Sequence, residues 1–233
     1  MAVKQFAVPD LGVVYVYKRA GAKSLRLTIR SDGSVRVTIP AWSPYAAGVQ
    51  FAQSRSDWIR QHATGPKIAL VDGQHIGKSH RLQFVPVSGT SKPTSRVRQI
   101  SIVVSYPKDV SIQDDAVQTT ARTASLRALK VQATRLLPLR VKELADKHGF
   151  RYKSVTVKSL KSRWGSCDQD TNITLNLYLM QLPWHLIDYV ILHELTHTRI
   201  MQHGPLFWSA MQTLEPSTQA LRHEIKAHKT TLQ

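Results

Sequence analysis

The sequence of 233 residues contains one cysteine, Cys167, and no long apolar run. A single thiol excludes an internal disulfide, which suits a protein of the reducing cytoplasm. One of the longest apolar runs, residues 11–16, is far shorter than the ~20 residues that cross a bilayer. The N-terminus also lacks the long apolar core of a secretory signal. We therefore expect a cytoplasmic protein without a membrane-spanning segment.

Acidic residues are scarce, above all in the first half of the chain. Residues 1–113 contain sixteen Lys or Arg against five Asp and no Glu, whereas residues 114–233 contain sixteen against ten. The formal net charge is +17, so nucleic acid is a candidate partner of the basic N-terminal half. Solvated strand faces explain part of the same charge, and neither zinc-finger cysteines nor an aromatic-rich RNA-binding signature accompanies it.

The N-terminal half has the period of β-strands. Apolar residues alternate with polar ones over residues 24–30 and 35–39, and an Asp-Gly turn at residues 31–34 predicts a hairpin between them. A helix is expected from Pro44 to the Gly65-Pro66 breaker. Two more strands are predicted at residues 81–87 and 100–106, on either side of a polar loop at 88–95.

Helices dominate the C-terminal half. A long helix is expected from Asp114 or Asp115 to Lys147, stopped at Gly149 and kinked or split by Pro138. Short strands are predicted at residues 154–159 and 173–177, and a helix begins near Pro183 and continues to the Gly204-Pro205 breaker. Further helices are expected at 206–214 and 217–228. No internal repeat is visible, and we place a domain boundary near residue 113, which gives domains of 1–113 and 114–233.

The segment HELTHTRIMQH, residues 193–203, contains the strongest functional pattern. His193 and His197 are four residues apart, so on a helix they share one face and can bind one zinc ion. Glu194 adjoins this pair, where its carboxylate can act as a general base on a water without binding the metal. The apolar face formed by nearby residues such as Ile187 and Leu195 indicates a buried helix, in which unpaired histidines would be costly.

A catalytic zinc ion needs a third protein ligand. His203 is the best candidate, because it precedes the Gly204-Pro205 breaker and the chain can turn there to return the imidazole to the metal. Metzincins use the same spacing but have glycine where Ile200 stands, so their turn does not fit this sequence. A carboxylate on a following helix, Glu215 or Glu224, is the alternative third ligand.

The sequence resembles the YgjP-like metallopeptidases, which are relatives of the SprT and Spartan proteases. The resemblance extends over nearly the whole chain. It rests on segments that follow the order and spacing of that family: SLRL at 24–27, WI at 58–59, KSRWGSC at 161–167, NITLN at 172–176, IDYV at 187–190, HELTH at 193–197, HG at 203–204 and FW at 207–208.

This resemblance implies that His193, His197 and His203 bind one Zn²⁺ per chain and that Glu194 is the catalytic acid and base. It also implies an α+β catalytic domain in which a strand lies beside the active-site helix. Together with the strand period of the N-terminal half, this predicts an α+β fold, in which a β-rich N-terminal domain precedes a mainly helical, zincin-type domain with a short sheet beside the HExxH helix. The activity that the resemblance implies is hydrolysis of peptide bonds in a protein or peptide substrate. Tyr178 and Leu179 stand where the family is expected to have tryptophan and arginine.

Candidate substrate-binding residues lie upstream of the zinc motif, namely Arg163, Asn176 and Tyr178. Arg163 could bind a substrate carboxylate or stabilise an oxyanion. The alternative is that the segment from Trp164 to Cys167 is a tight turn packed under the ligand helix. Phe207 and Trp208 are expected in the core behind His203.

An extended substrate could pair with the strand at residues 173–177 as an edge. The alternative functions are a nucleic-acid-binding module with structural zinc, a protease recruited to nucleic acid by the basic N-terminal half, and an inactive zinc protein that binds peptides.

Overall fold

Two compact units make up the chain, Met1–Ile68 and Ala69–Gln233. The structure, a computed structural model, describes residues 3–29, 34–62 and 69–232, except for the side chains of residues 60–62. The expected boundary near residue 113 falls inside the second unit. The reason is that the strands before residue 113 pack against the long helix that follows them and share one apolar core with it.

The first unit contains a four-stranded sheet and two short helices. Its strands are β1 (Val3–Val8), β2 (Gly12–Arg19), β3 (Arg26–Ile29) and β4 (Val35–Pro40), in the order β1-β2-β4-β3. The predicted hairpin is confirmed as the antiparallel β3–β4 pair, in which Leu27 is opposite Val37. The Asp-Gly turn itself lies outside the described residues.

Two helices, α1 (Tyr45–Ser54) and α2 (Ser56–His62), replace the single helix predicted after Pro44, whose Gly65-Pro66 end lies outside the described residues. Gly48 allows α1 to approach the sheet, because a Cβ atom there would lie 2.6 Å from Val16 Cγ1. Buried aliphatic side chains, such as Val14, Val16, Val37 and Ile39, form the core of this unit.

The second unit begins with another four-stranded sheet. It consists of β5 (His75–Ile76), β6 (His80–Val87), β7 (Thr94–Val97) and β8 (Ser101–Pro107), in the order β5-β6-β8-β7. The middle pair is parallel and both outer pairs are antiparallel, as in the sheet of the first unit, and a helix follows each sheet. The topology therefore repeats, although no repeat is visible in the sequence.

The long helix α3 (Asp115–His148) supports the second unit. Its ends are those predicted: Asp114 Oδ1 accepts a hydrogen bond from Ala116 N at 2.8 Å, and Gly149 stops the helix with φ of 68°. Pro138 does not split the helix, which continues as one element through that residue. Small residues such as Ala121 and Ala128 are completely buried along α3, which allows the β5–β8 sheet to pack closely against it.

The remaining elements surround the HELTH segment. They are β9 (Ser154–Lys158), β10 (Gly165–Cys167), β11 (Asn172–Asn176), a 3-10 turn at Leu177–Gln181, α4 (Trp184–His197), α5 (Pro205–Leu214), α6 (Thr218–Glu224) and a 3-10 turn at Ile225–Ala227. The chain thus has the mixed α+β character that was expected. Among the described helices, none combines the length and apolar character needed to cross a bilayer.

The third sheet differs from the prediction at its edge. Its order is β10-β11-β9, so β11 is the central strand and is paired on both sides. The expectation that residues 173–177 form an open edge was therefore wrong. The segment expected to be a tight turn contains the edge strand β10 instead, and this strand packs against α4.

Candidate metal centre

The helix α4 carries two of the three histidines. It contains many apolar residues that are buried on more than one side, including Leu186, Ile187 and Leu195, so its position in the unit is fixed by the core. His193 and His197 lie one helical turn apart on the same face of α4, and their Nε2 atoms are 3.2 Å apart.

His203 reaches the same point from the loop between α4 and α5. Its Nε2 atom lies 2.9 Å from that of His193 and 3.1 Å from that of His197. Pro205 at the start of α5 redirects the chain after this loop, as Gly204-Pro205 predicted. The structure therefore brings together all three histidines that the sequence analysis selected as metal ligands.

The triangle of Nε2 atoms has the dimensions of one face of a zinc site. Tetrahedral zinc with Zn–N bonds of about 2.0–2.1 Å separates its ligand nitrogens by about 3.3–3.4 Å. The observed separations of 2.9–3.2 Å differ from this by a few tenths of an ångström. Among the described residues, these three histidines are the group of His, Cys, Asp and Glu side chains able to hold a metal ion.

Neither of the alternative carboxylate ligands joins the histidines. Glu215 follows the end of α5, and Glu224 Oε1 lies 2.8 Å from His185 Nε2, so it is engaged at the other end of α4. Cys167 lies on β10, where burial, together with the nearby charges of Glu194 and Asp168, raises the pKa of its thiol to about 11. A neutral thiol is a poor zinc ligand and a poor nucleophile.

The protonation of the histidines suits metal binding. His197 Nδ1 lies 3.1 Å from the carbonyl oxygen of Ile200, which can only accept, so Nδ1 carries the proton and Nε2 presents its lone pair. Burial is the main reason that the pKa of His193 falls to about 3, and His197, His203 and Arg222 lower it further. Burial also lowers the pKa of His197. Neutral imidazole is the form that binds cations.

Aromatic side chains fix the orientation of the imidazole rings. Phe207 is completely buried, with its ring centroid 4.6–4.9 Å from those of the three histidines. Trp208 is half-buried and stacks on His203 with ring centroids 5.7 Å apart, and the Arg222 guanidinium lies over the Trp208 ring, 4.3 Å from its centroid. The prediction that Phe207 and Trp208 lie behind His203 is confirmed in their positions.

Glu194 is buried beside this triangle, with 5% of its surface exposed. Burial raises the pKa of its carboxyl group to about 8, although the positive charge of Arg163 opposes that shift. Its Oε2 atom has no hydrogen-bond partner among the described residues. A buried polar atom without a partner is costly, so its presence next to three imidazoles indicates that a ligand or reactant completes the site.

The edge strand β10 passes directly beside this carboxylate. A Cβ atom on Gly165 would lie 2.7 Å from Glu194 Oε1 and 2.8 Å from its Cγ. Gly165 is therefore required by the close approach of β10 to α4. The sequence analysis assigned no function to this residue, and only the contact between the two elements reveals it.

A cleft of about 220 Å³ opens next to His193 and Glu194. Its other walls are mainly apolar and come from three parts of the chain: Trp164 and Gly165 of the β10 segment, Tyr189 and Val190 of α4, and Ile225 of the C-terminal 3-10 turn. Arg163, a predicted substrate-binding residue, is exposed and adds a positive charge to the same cleft.

The other two predicted substrate-binding residues do not line this cleft. Asn176 is completely buried: its Nδ2 atom donates to the carbonyl oxygens of Leu160 and Arg163, both at 2.8 Å, and its Oδ1 atom accepts from Tyr178 N at 3.2 Å. Its amide thus holds the segment that presents Arg163. Tyr178 is half-buried against the core of the second unit.

Comparison with known proteins gives the class of protein to which the chain belongs, the metallopeptidases. The family described as "YgjP-like, metallopeptidase domain" matches residues 23–228, so the chain belongs to the YgjP-like metallopeptidase family. Comparison with curated proteins yields no match.

Two solved structures of metallopeptidase zymogens resemble part of the chain. Abylysin of Pyrococcus abyssi is 19% identical, and the match covers 40% of this chain and 93% of abylysin with a TM-score of 0.37. Jannalysin of Methanocaldococcus jannaschii is 21% identical, and the match covers 39% of this chain and 94% of jannalysin with a TM-score of 0.35.

Proposed function

We propose that the protein is a zinc-dependent endopeptidase whose metal ion is held by His193, His197 and His203. The single observation that carries this proposal is the convergence of three Nε2 atoms within 3.2 Å of one another beside the partnerless carboxylate oxygen of Glu194. When bound, zinc supplies the Lewis acidity that polarises a peptide carbonyl and promotes the ionisation of water.

The residues of the chain supply the proton transfers. Glu194 Oε2 accepts a proton from the attacking water and passes it to the leaving nitrogen of the scissile bond. Its burial keeps the carboxylate free of competing solvent hydrogen bonds. Arg163 supplies a permanent positive charge in the cleft, where it can attract a carboxylate of the substrate or stabilise negative charge that develops on the scissile carbonyl.

The strand β10 is the element best suited to hold the substrate backbone. Trp164 O accepts from Asn176 N, and Asp168 N donates to Asn172 O, so these residues and Ser166 between them direct their backbone groups toward β11. Gly165 and Cys167 direct theirs to the open edge. An extended peptide can therefore add to β10 next to Glu194, through backbone hydrogen bonds that do not depend on the sequence of the substrate.

A purely structural zinc site is less consistent with this geometry. Structural zinc is normally enclosed by four protein ligands, whereas a catalytic ion keeps one position open. Three side chains converge here among the residues that the structure describes. The adjoining cleft, with Glu194 in its wall, also gives a reactant access to the site.

The proposal is tested with two substitutions and one control. Glu194→Gln should retain one zinc per chain and lose about 10²–10⁴-fold in turnover of an unfolded protein substrate, because only the proton acceptor is removed. His203→Ala should lose zinc as well as activity. His75→Ala removes an exposed histidine on β5 and should change neither quantity.

Zinc is measured by plasma mass spectrometry, and proteolysis by the release of labelled peptides. Full zinc content in the His203→Ala variant would place the third ligand elsewhere. Undiminished proteolysis by Glu194→Gln would exclude this carboxylate as the general base.

A further inference from the structure

A basic groove runs between α3 and the edge strand β7 in the second unit. Its walls enclose about 700 Å³. Four arginines line it: Arg96 and Arg98 on the strand side, and Arg127 and Arg135 on the helix side. An adjoining concave surface of α3 shares Arg127, Val131 and Arg135 with it and adds a fifth cation, Lys130. We define these five residues and the surfaces between them as the α3–β7 groove.

The charges of this groove are not neutralised by the protein. None of the residues that line it is acidic, and none of its five cations forms an ion pair with a carboxylate among the described residues. Elsewhere on α3 the pattern is different, since Arg140 pairs with Asp188 and Glu143, and Lys142 pairs with Asp146. Five like charges around one concave surface repel one another, so a bound polyanion would stabilise them.

Several polar groups of the groove can donate hydrogen bonds to a ligand. Ser79, Ser95 and Gln99 lie among the arginines, whereas the buried Gln132 amide already donates to Ile76 O and His80 Nδ1. Arg127 Nη2 donates to Ser95 Oγ at 2.7 Å, which ties the helix side of the groove to the strand side. Hydroxyl, amide and guanidinium groups on two facing walls match the oxygen atoms of a phosphodiester backbone.

The composition of the groove favours duplex nucleic acid over other polyanions. Protein partners depend on buried apolar or aromatic anchors, whereas the apolar residues of the groove are Val97 and Val131. Binding of single strands depends on aromatic side chains that stack on the bases. The residues that line the groove include no Phe, Tyr or Trp, and the imidazole of His80 is buried with both ring nitrogens hydrogen-bonded. A groove with positive charge and hydrogen-bond donors but no surface for base stacking suits the phosphate backbone of a duplex. Such a backbone is bound without regard to sequence.

From these features we infer that the α3–β7 groove is a binding site for the phosphate backbone of duplex nucleic acid, separate from the metal centre. This surface differs from the basic N-terminal half that the distribution of charge alone suggests, because three of its five cations come from α3. A substrate protein bound to the same nucleic acid would then be held near the peptidase.

The groove is tested by the binding of a fluorescein-labelled duplex DNA of about 20 base pairs to the full chain, measured by anisotropy between 50 and 200 mM salt. The double variant Arg127→Gln/Arg135→Gln should bind about tenfold more weakly at low salt. The slope of log K against log salt should become shallower by about two, since each lost phosphate contact removes about 0.9.

The matched control is a second double variant that loses the same number of positive charges at another place. Lys147→Gln/Arg151→Gln also removes two exposed cations, at the far end of α3, and should change the affinity less than about threefold if location matters more than net charge. Zinc content and the midpoint of thermal unfolding establish that both variants are folded.

Four outcomes would overturn the inference. The first is an equal loss of duplex affinity in the two double variants, and the second is no binding of duplex by the wild type at 50 mM salt. The third is tighter binding of single strands than of duplex. The fourth is that a polyglutamate peptide competes as effectively as unlabelled duplex of the same charge. The inference and the proposed peptidase activity fail independently, because the first is read from DNA affinity and the second from proteolysis.

Discussion

Gly165 connects the fold to the chemistry of the site at the scale of single residues. It lies on the edge strand β10, and the space that a side chain would fill is occupied by the Glu194 carboxylate. The backbone of the strand can therefore pass beside this carboxylate, and a substrate paired with β10 would lie next to the same group. In the proposed mechanism, the position of one glycine thus determines how close the substrate backbone can come to the proton acceptor.

Substitution of this glycine gives a prediction at the residue scale. In the Gly165→Ala variant the new Cβ would lie 2.7 Å from Glu194 Oε1, so the carboxylate must move. Because displacement by about 1 Å can cost about 10²-fold in rate, we expect kcat to fall by about that factor while zinc content is unchanged. Steady-state proteolysis and metal analysis measure the two quantities.

Gly204→Ala is the matched control for this substitution. Gly204 adjoins His203, its φ of −83° is ordinary for any residue, and a Cβ atom there would meet nothing within 4 Å. This control should retain both zinc and activity. Wild-type turnover by Gly165→Ala would show that the close approach of β10 to Glu194 is not needed for catalysis.

At the scale of secondary-structure elements, buried polar side chains on α3 connect this helix to the segment that precedes the β5–β8 sheet and to its first strands. Gln118 exchanges two hydrogen bonds with the backbone of Leu70, at 2.8 and 3.0 Å. Gln132 accepts from Lys78 N at 2.6 Å and donates to Ile76 O at 3.0 Å and to His80 Nδ1 at 2.8 Å. These bonds attach the segment 70–80 to the helix, which explains why the two belong to one unit.

His80 makes this connection sensitive to pH. Its Nε2 atom lies 2.9 Å from the carbonyl oxygen of Arg98 and therefore donates, so Nδ1 accepts from Gln132. Burial lowers the pKa of His80, the hydrogen bond to Arg98 O opposes this shift, and the charge of Arg135 adds to it. If His80 were protonated, its Nδ1–H would face the N–H of Gln132 Nε2, and the hydrogen bond between these two atoms would be lost.

The expected result follows from the direction of this shift. A lowered pKa means that the folded state prefers neutral His80, so this stabilisation is complete above the ordinary pKa of 6.5 and is lost as the pH falls below it. The free energy of unfolding, measured by urea titration, should therefore decrease more steeply from pH 7 to pH 5 in the wild type than in His80→Gln. Parallel pH profiles would contradict this prediction, since the three site histidines are common to both proteins.

At the scale of the whole molecule, the division into units differs from the predicted boundary near residue 113. The cut near residue 113 would separate the β5–β8 sheet from α3, although buried residues of both, such as Leu82, Ile102 and Leu129, belong to one core. The first unit has its own core, which includes Val14, Val37 and Ile39.

Two fragments test where the chain divides. A fragment of residues 69–233 retains the complete core of its unit and should unfold cooperatively and bind one zinc ion. A fragment of residues 114–233 exposes the apolar face of α3 that packs on the sheet, and we expect it to aggregate or to lack a cooperative transition. Circular dichroism during heating and metal analysis distinguish these results. A stable, zinc-binding 114–233 fragment would restore the boundary near residue 113.

Local patterns in the sequence were sufficient for much of the fold. The alternation over residues 24–39 predicted the β3–β4 hairpin, and Asp114 and Gly149 marked the ends of α3, because turn and cap preferences depend on neighbouring residues. The spacing of His193 and His197 needed only helical geometry to bring them together. Pairings between distant segments were harder to predict. The strand β11 was expected at the edge of its sheet but is the central strand, and Asn176 was expected to contact substrate but is completely buried.

The sequence by itself determined the ends of α3, the hairpin and the set of three histidines with an adjoining glutamate, since each depends on residues that are near one another along the chain. Only the tertiary structure decided that β10 is an edge strand beside α4, that Gly165 makes room for Glu194, that α3 and the β5–β8 sheet form one core, and that five cations line two adjoining concave surfaces. These features depend on contacts between distant segments, and the packing of the complete chain selects them.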